Sequence, residues 1–225
     1  MKSHRKLGEP RSQPAGWGDF AHAPTDRTWL GDSVRGVRAA AERAPIGDTG
    51  RAIDVNTSGL SADGRWIANH YRDLMRHGWR DPKGEVPKDA LSDGLTLAVL
   101  RRLEAGPKDD PYHVESLVEV LAEANRLSVR VELEAKRRVP LVDWTRLAAN
   151  QHVKALLERD LLVVKTLADM PGAAARLKPA HAAGFPTMLS FTGYDGDPLP
   201  AATYWPITTY YRGTPTWAAT ENAEG

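Results

Sequence analysis

The feature that most constrains this chain is a change of hydrophobic period that repeats through its second half. Ser128-Val129-Arg130-Val131-Glu132-Leu133-Glu134 alternates β-branched or apolar residues with polar ones, the period of two expected of a strand. Residues 144–157 then read as a helix, 161–164 as a strand, 172–183 as a helix and 186–191 as a strand. Strands that alternate with helices imply βαβ units and parallel pairing, so the sequence predicts an α/β fold rather than a bundle or a sandwich.

The first half fits the same scheme. Gly18-Asp19-Phe20-Ala21-His22 reads as a short strand that Pro24 prevents from continuing. Asp32 or Ser33 can cap a helix whose stripe is Val34, Val37, Ala40 and Ala41 and which should end near Pro45. Residues 51–56 and 65–70 are apolar segments flanking Ser61-Ala62-Asp63-Gly64, whose Asp-Gly is a turn signal, so they read as successive strands. Residues 71–93 are charged and interrupted by Pro82, Gly84 and Pro87, which reads as a long surface loop able to shape a site. Two helical patterns follow, one with Leu95, Leu97, Val99, Leu100 and Leu103, the other with Val114, Leu117, Val118 and Leu121. Beyond Gly193 the pattern weakens, with a strand expected over 204–211.

Composition excludes several classes of function. The 225 residues, 41% hydrophobic, suffice for one sizeable core. Thirty Lys and Arg against twenty-nine Asp and Glu leave a net charge of +1, so no bulk attraction for nucleic acid or an anionic membrane is expected. The absence of cysteine removes disulfides, thiolate metal sites and a Cys nucleophile, leaving His, carboxylates, Lys, Arg and hydroxyls for chemistry. No run approaches the roughly 18 apolar residues of a transmembrane segment, and no apolar stretch follows the basic start as in a signal peptide. The expectation is a soluble, cytoplasmic protein with a flexible basic arm over 1–17 and one domain over 18–225, of oligomeric state unknown.

Several short motifs occur in an order that resembles the glycerophosphodiester phosphodiesterase family. Ala21-His22 resembles its opening Ala-His-Arg-Gly, and Asp32-Ser33-Val34 with Val37 and Ala40 resembles its Glu-Asn-Thr-Leu and Ala-rich helix. The strongest block is Ala52-Ile53-Asp54-Val55, then Asp63-Gly64, then Ile67-Ala68-Asn69-His70, followed by Leu74 and Arg76 at the family's spacing. Leu95-Thr96-Leu97, His113-Val114-Glu115-Ser116-Leu117 and Glu134-Ala135-Lys136 resemble its later segments, so the resemblance spans roughly 20–191.

The resemblance implies a (β/α)8 TIM-type barrel, trimmed or irregular in its last βα units, with a site at the carboxyl ends of the strands. It implies a phosphodiesterase that cleaves a glycerophosphodiester or a related small-molecule or polymer phosphodiester. His22 and His70 would act as general acid and base, Lys136 would bring positive charge to the phosphate, and a divalent cation, calcium or magnesium, would sit among oxygen ligands. The departures fall on the site. Ala23 stands where the family has Arg, Tyr71 where it has Asp, and its Glu-x-Asp pair reads Ala52-Ile53-Asp54. A shifted alignment gives the two roles to Asp54 and Asn56, which share a strand face. It preserves three oxygen ligands, Asp54, Asn56 and Glu134, with one less negative charge and a small insertion before Asp63-Gly64. Glu132 is either a further ligand or a partner of Lys136. The alternatives are a catalytically impaired barrel acting as a binding or assembly module, and an unrelated α/β protein. His4, His77, His113, His152 and His181 lie in no supporting pattern and read as structural or exposed.

Overall fold

The computed structural model describes residues 31–48, 51–167, 172–192, 207–212 and 218–220. The arm over 1–17, the strand expected at Gly18 to His22, and His22 itself lie outside the described residues. Helix α1 (Val34–Arg43) starts where the Ser33 hydroxyl accepts the Gly36 N–H at 3.0 Å, and it buries Val37 and Ala40 from the predicted stripe. Strands β1 (Ala52–Leu60) and β2 (Trp66–Ala68) form an antiparallel hairpin around Asp63-Gly64, where Gly64 adopts a φ of 71°.

Next come α2 (Leu97–Leu100), β3 (Glu104–Ala105), β4 (Tyr112–His113), β5 (Glu115–Ser116) and α3 (Leu117–Leu127). A reciprocal cap between Ser116 and Glu119 starts α3. The βαβ series then runs β6 (Arg130–Ala135), α4 (Leu141–Ala148), α5 (Gln151–Glu158), β7 (Leu162–Leu167), α6 (Ala173–Ala182) and β8 (Thr187–Thr192), and it is followed by β9 (Ile207–Arg212) and β10 (Ala218–Thr220). Strands β1, β6, β7, β8 and β9 are parallel to their neighbours in the order β9-β8-β7-β6-β1. This parallel-rich sheet is the predicted α/β arrangement.

The expected closed (β/α)8 barrel is not what the described strands form. They make an open sheet in the order β10-β9-β8-β7-β6-β1-β2-β5. The hairpin is the physical reason: β2 folds back antiparallel and occupies the flank of β1 opposite β6. At the far side β10 pairs antiparallel with β9.

Two other expectations change. The pattern over 144–157 is two helices, because the Asn150 side chain accepts the N–H groups of His152 and Val153 and starts α5 anew. The segment read as a surface loop over 71–93 encloses a core of its own: Leu74, Trp79 and Val86 are buried with Ile67, Leu100, Leu103, Ala105 and Val114. Of the leucine-rich pattern after it, Leu97–Leu100 is helical.

The main core lies between the sheet and its helices. Ile53, Val55, Val131, Leu133, Leu162 and Val164 project from one face of the sheet onto Val37, Leu121, Trp144, Leu147 and Leu177. Arg51 ties this layer together at one end, donating to the carbonyls of Ala41, Ala44 and Leu127 at the ends of α1 and α3. Between the same helices, Glu123 accepts from Arg38 at 2.7 Å and from Arg126 at 2.7 and 2.8 Å.

Hydrogen bonds from Arg126 and Arg38 hold the Glu123 carboxyl down to about 2, below its ordinary 4.5. A depressed folded-state value contributes stability above pH 4.5 that is lost as pH falls through 2. The guanidiniums are solvent-exposed, so screening limits the effect to about 1 kcal/mol. Glu123→Gln should lower stability at pH 7 by that amount in urea titrations, and its difference from wild type should close between pH 4.5 and 2.

Candidate active site

The second face of the sheet carries charge. Residues two apart on a strand share a face, and Asp54 and Asn56 of β1 lie opposite Glu132 and Glu134 of β6, which lie opposite Val163 and Lys165 of β7. Asp54, Asn56, Glu132, Glu134 and Lys165 are each buried, at 9% exposure or less. Apolar residues between them on the same strands point to the helices, so strict alternation sorts the charge onto one side.

Buried charges must be paired. The Lys165 ammonium sits 2.9 Å from Asp54 Oδ2 and 2.6 Å from Glu132 Oε2, bridging three strands. Burial alone would pull the lysine pKa down, but the attraction of Asp54, Glu132 and Glu134 outweighs it and holds the ammonium above its ordinary range. Glu134 pairs instead with Lys136, Oε1 to Nζ 2.7 Å, and the Lys136 side chain is 17% exposed. Asp32, at the entrance to α1, accepts the Asn56 backbone N–H at 2.6 Å and the Asn56 side-chain amide at 3.0 Å. Burial pushes the Asp32 carboxyl up to about 8 despite these two hydrogen bonds.

His70 is separated from the end of β2 by one residue, Asn69. The Asn69 N–H donates to the Asn56 carbonyl at 2.9 Å, so His70 emerges beside β1 next to the level of Asn56. Its ring lies 4.2 Å from that of Tyr71, centroid to centroid, and Tyr71 stacks on His77 at 3.5 Å with 5° between planes. His77 therefore packs in an aromatic column and also lies 3.3 Å from Asp73. His113 contacts the Leu103 carbonyl at 3.2 Å, and burial lowers the His181 pKa.

The hairpin is irregular. Register slips between Thr57 and Gly59, a bulge in which the Thr57 hydroxyl donates to the Ile67 carbonyl and accepts the Gly59 N–H at 3.1 Å. That extra residue lies between Asn56 and Asp63-Gly64. Just beyond, Asp93 accepts from Arg72 at 2.7 and 2.8 Å and from Arg137 at 2.9 Å, and these bonds hold its carboxyl down to about 2. This joins the loops after β2 and β6.

Among the expected site residues, the structure brings Asp54, Asn56, Glu134 and Lys136 onto one face of two adjacent strands. Glu132 pairs with Lys165 rather than with Lys136. Sequence reasoning missed Lys165 and the link from Asp32 to Asn56. The one signal for Lys165 was its position as the lone charge in Leu161-Leu162-Val163-Val164-Lys165.

The donor set is made of oxygens, which suits a hard divalent cation. Asn56 Oδ1 is buried with no hydrogen-bond partner among the described residues, which adds an oxygen donor beside Glu134. Asp54 and Glu132 already hold an ammonium, and no cluster of three or more His, Cys, Asp or Glu able to hold a metal ion occurs among the described residues. The residues thus fit such an ion by donor type, with part of their charge already balanced. No described helix is long and apolar enough to cross a membrane.

No family model and no curated protein matches the chain. Among solved structures it is similar to a glycerophosphodiester phosphodiesterase from Parabacteroides distasonis, at 16% identity and a TM-score of 0.47, covering 82% of this chain and 66% of that one. It is also similar to a phosphodiesterase from Oleispira antarctica in complex with the product sn-glycerol-3-phosphate, at 18% identity and a TM-score of 0.44, covering 75% of this chain and 62% of that one. The chain spans less than two-thirds of the length of these structures.

The bulge generates a test of how the strand is set. Gly59 has a φ of 109°, and a Cβ there would stand 3.2 Å from Arg137 Cδ. Gly59→Ala should cost about 1–3 kcal/mol in urea denaturation.

Proposed function

We propose that the chain is a phosphodiesterase that hydrolyses a glycerophosphodiester or a related phosphodiester with the help of a divalent cation. The observation that carries this reading is the shared buried face of Asp54, Asn56, Glu134 and Lys136, at the levels that the shifted alignment requires. His70 emerging beside Asn56 supports it further.

In this reading Asp54, Asn56 and Glu134 hold the cation, calcium or magnesium. Such an ion, when bound, neutralises the charge that develops on the phosphate. Lys136 is the more accessible of the two lysines, at 17% exposure against 2% for Lys165, and it is the one that would meet a phosphate oxygen. To do so it would exchange part of its contact with Glu134 for the substrate. His70 and His22 divide the proton transfers, one taking the proton of the attacking water and the other giving one to the departing alkoxide. Tyr71, stacked on His77 and tilted against His70, limits how the His70 ring can turn.

Wild type should hydrolyse bis(p-nitrophenyl) phosphate or glycerophosphodiesters with calcium or magnesium and lose that activity to a chelator. His70→Ala should lower turnover by about 10²–10⁴-fold, the usual worth of general acid or base help, and by more than His22→Ala does. Circular dichroism checks that each variant is folded. Full activity in folded His70→Ala would overturn the role of His70, and chelator-resistant hydrolysis would overturn the role of the cation.

A further inference from the structure

Lys165 is not accounted for by the reaction just proposed. It lies in the middle strand of β6, β7 and β8, where an apolar residue is the ordinary occupant, and it is 2% exposed. Its own cross-strand neighbour at that level is Glu134, yet the ammonium reaches one level back, to Glu132 on the next strand and Asp54 on the strand beyond. The carboxylates it contacts are 33 and 111 residues away in the chain. A side chain extended over β6 in this way puts one positive charge between two carboxylates, one of which belongs to the proposed ligand set.

We propose that Lys165 is the resident cation of this site: it satisfies Asp54 and Glu132 internally, and a divalent cation gains Asp54 only in competition with it. The inference rests on the reading of Asp54, Asn56 and Glu134 as cation ligands, and it concerns the affinity of that set rather than the reaction. Two buried carboxylates next to each other repel unless a positive charge lies between them. One ammonium supplies that charge permanently, keeps the strand face folded without any ion, and weakens the set as a ligand. With the ammonium removed, Asp54 and Glu132 together carry the charge that one divalent ion balances.

The test is calorimetric titration of calcium and of magnesium into wild type, Lys165→Met and the double variant Lys165→Met/Glu132→Gln, with thermal unfolding followed in parallel. The double variant also removes one of the two carboxylates that the ammonium bridges, so only Asp54 is left to be balanced. Wild type should bind calcium weakly, in the millimolar range; Lys165→Met should bind at least about tenfold more tightly, as expected when a buried like charge next to the ion is removed, and the double variant, which also loses a carboxylate, should gain less. The unfolding temperature of Lys165→Met should rise with calcium by more than that of wild type, because an ion that binds only the folded state stabilises it.

A folded variant with calcium affinity equal to or below that of wild type would overturn the proposal. Failure of both variants to fold even with calcium present would do the same, since calcium is required to replace the ammonium. The outcomes separate from those for the reaction. Metal-dependent hydrolysis by wild type with no gain of affinity in the variants defeats the competition alone. A gain of affinity without any hydrolysis by wild type leaves the competition standing and defeats the enzymatic reading.

Discussion

One ammonium and three strands set the terms for the rest of the molecule. A parallel sheet covered by helices ordinarily carries apolar residues on both faces, and here one face of β1, β6 and β7 bears Asp54, Asn56, Glu132, Glu134 and Lys165, all buried. Such a face holds together only while each charge has its counterpart. Lys165 bridges Asp54 and Glu132, Lys136 pairs with Glu134, and Asp32 engages the Asn56 amide. The helix-facing side of the same strands can then be purely apolar, with Val55, Leu133 and Val164 packed into the main core.

Much of the frame was legible because it is written in local periods. The cap at Ser33, the hairpin at Asp63-Gly64, the alternation of β6 and the later strands all follow from spacing over a few residues. The same locality explains the failures. Leu74, Trp79 and Val86 keep neither a helical nor a strand period, so the small core they form with Leu100 and Val114 reads as loop. One continuous apolar stripe over 144–157 conceals the break that Asn150 makes by capping a second helix. Closure of a sheet is not a local property at all: the chain gives each strand but not which flank β2 will cover.

The site shows the same division. Asp54 and Glu134 stand out in the sequence because short motifs surround them, and Asn56 because a two-residue step from Asp54 keeps it on the same strand face. Lys165 has no motif. Its meaning lies in contacts across 33 and 111 residues, and within its own strand it looks like an interruption of an apolar run. Glu132 pairs with Lys165, while Lys136, just past the end of β6 and two residues beyond Glu134, pairs with that nearer carboxylate.

The separateness of the second apolar cluster gives the site two kinds of wall. The sheet wall, with Asp54, Glu132 and Lys165, belongs to the main core and can open only with the domain as a whole. The other wall, from His70 through Arg72 to Asp93, is attached to the small cluster around Leu74 and Trp79, and a unit with so few buried contacts opens at lower free energy. The Asp93 link to Arg72 and Arg137 latches the two walls at the surface. Amide exchange should therefore be slow for β1, β6 and β7 and faster for the segment that follows β2.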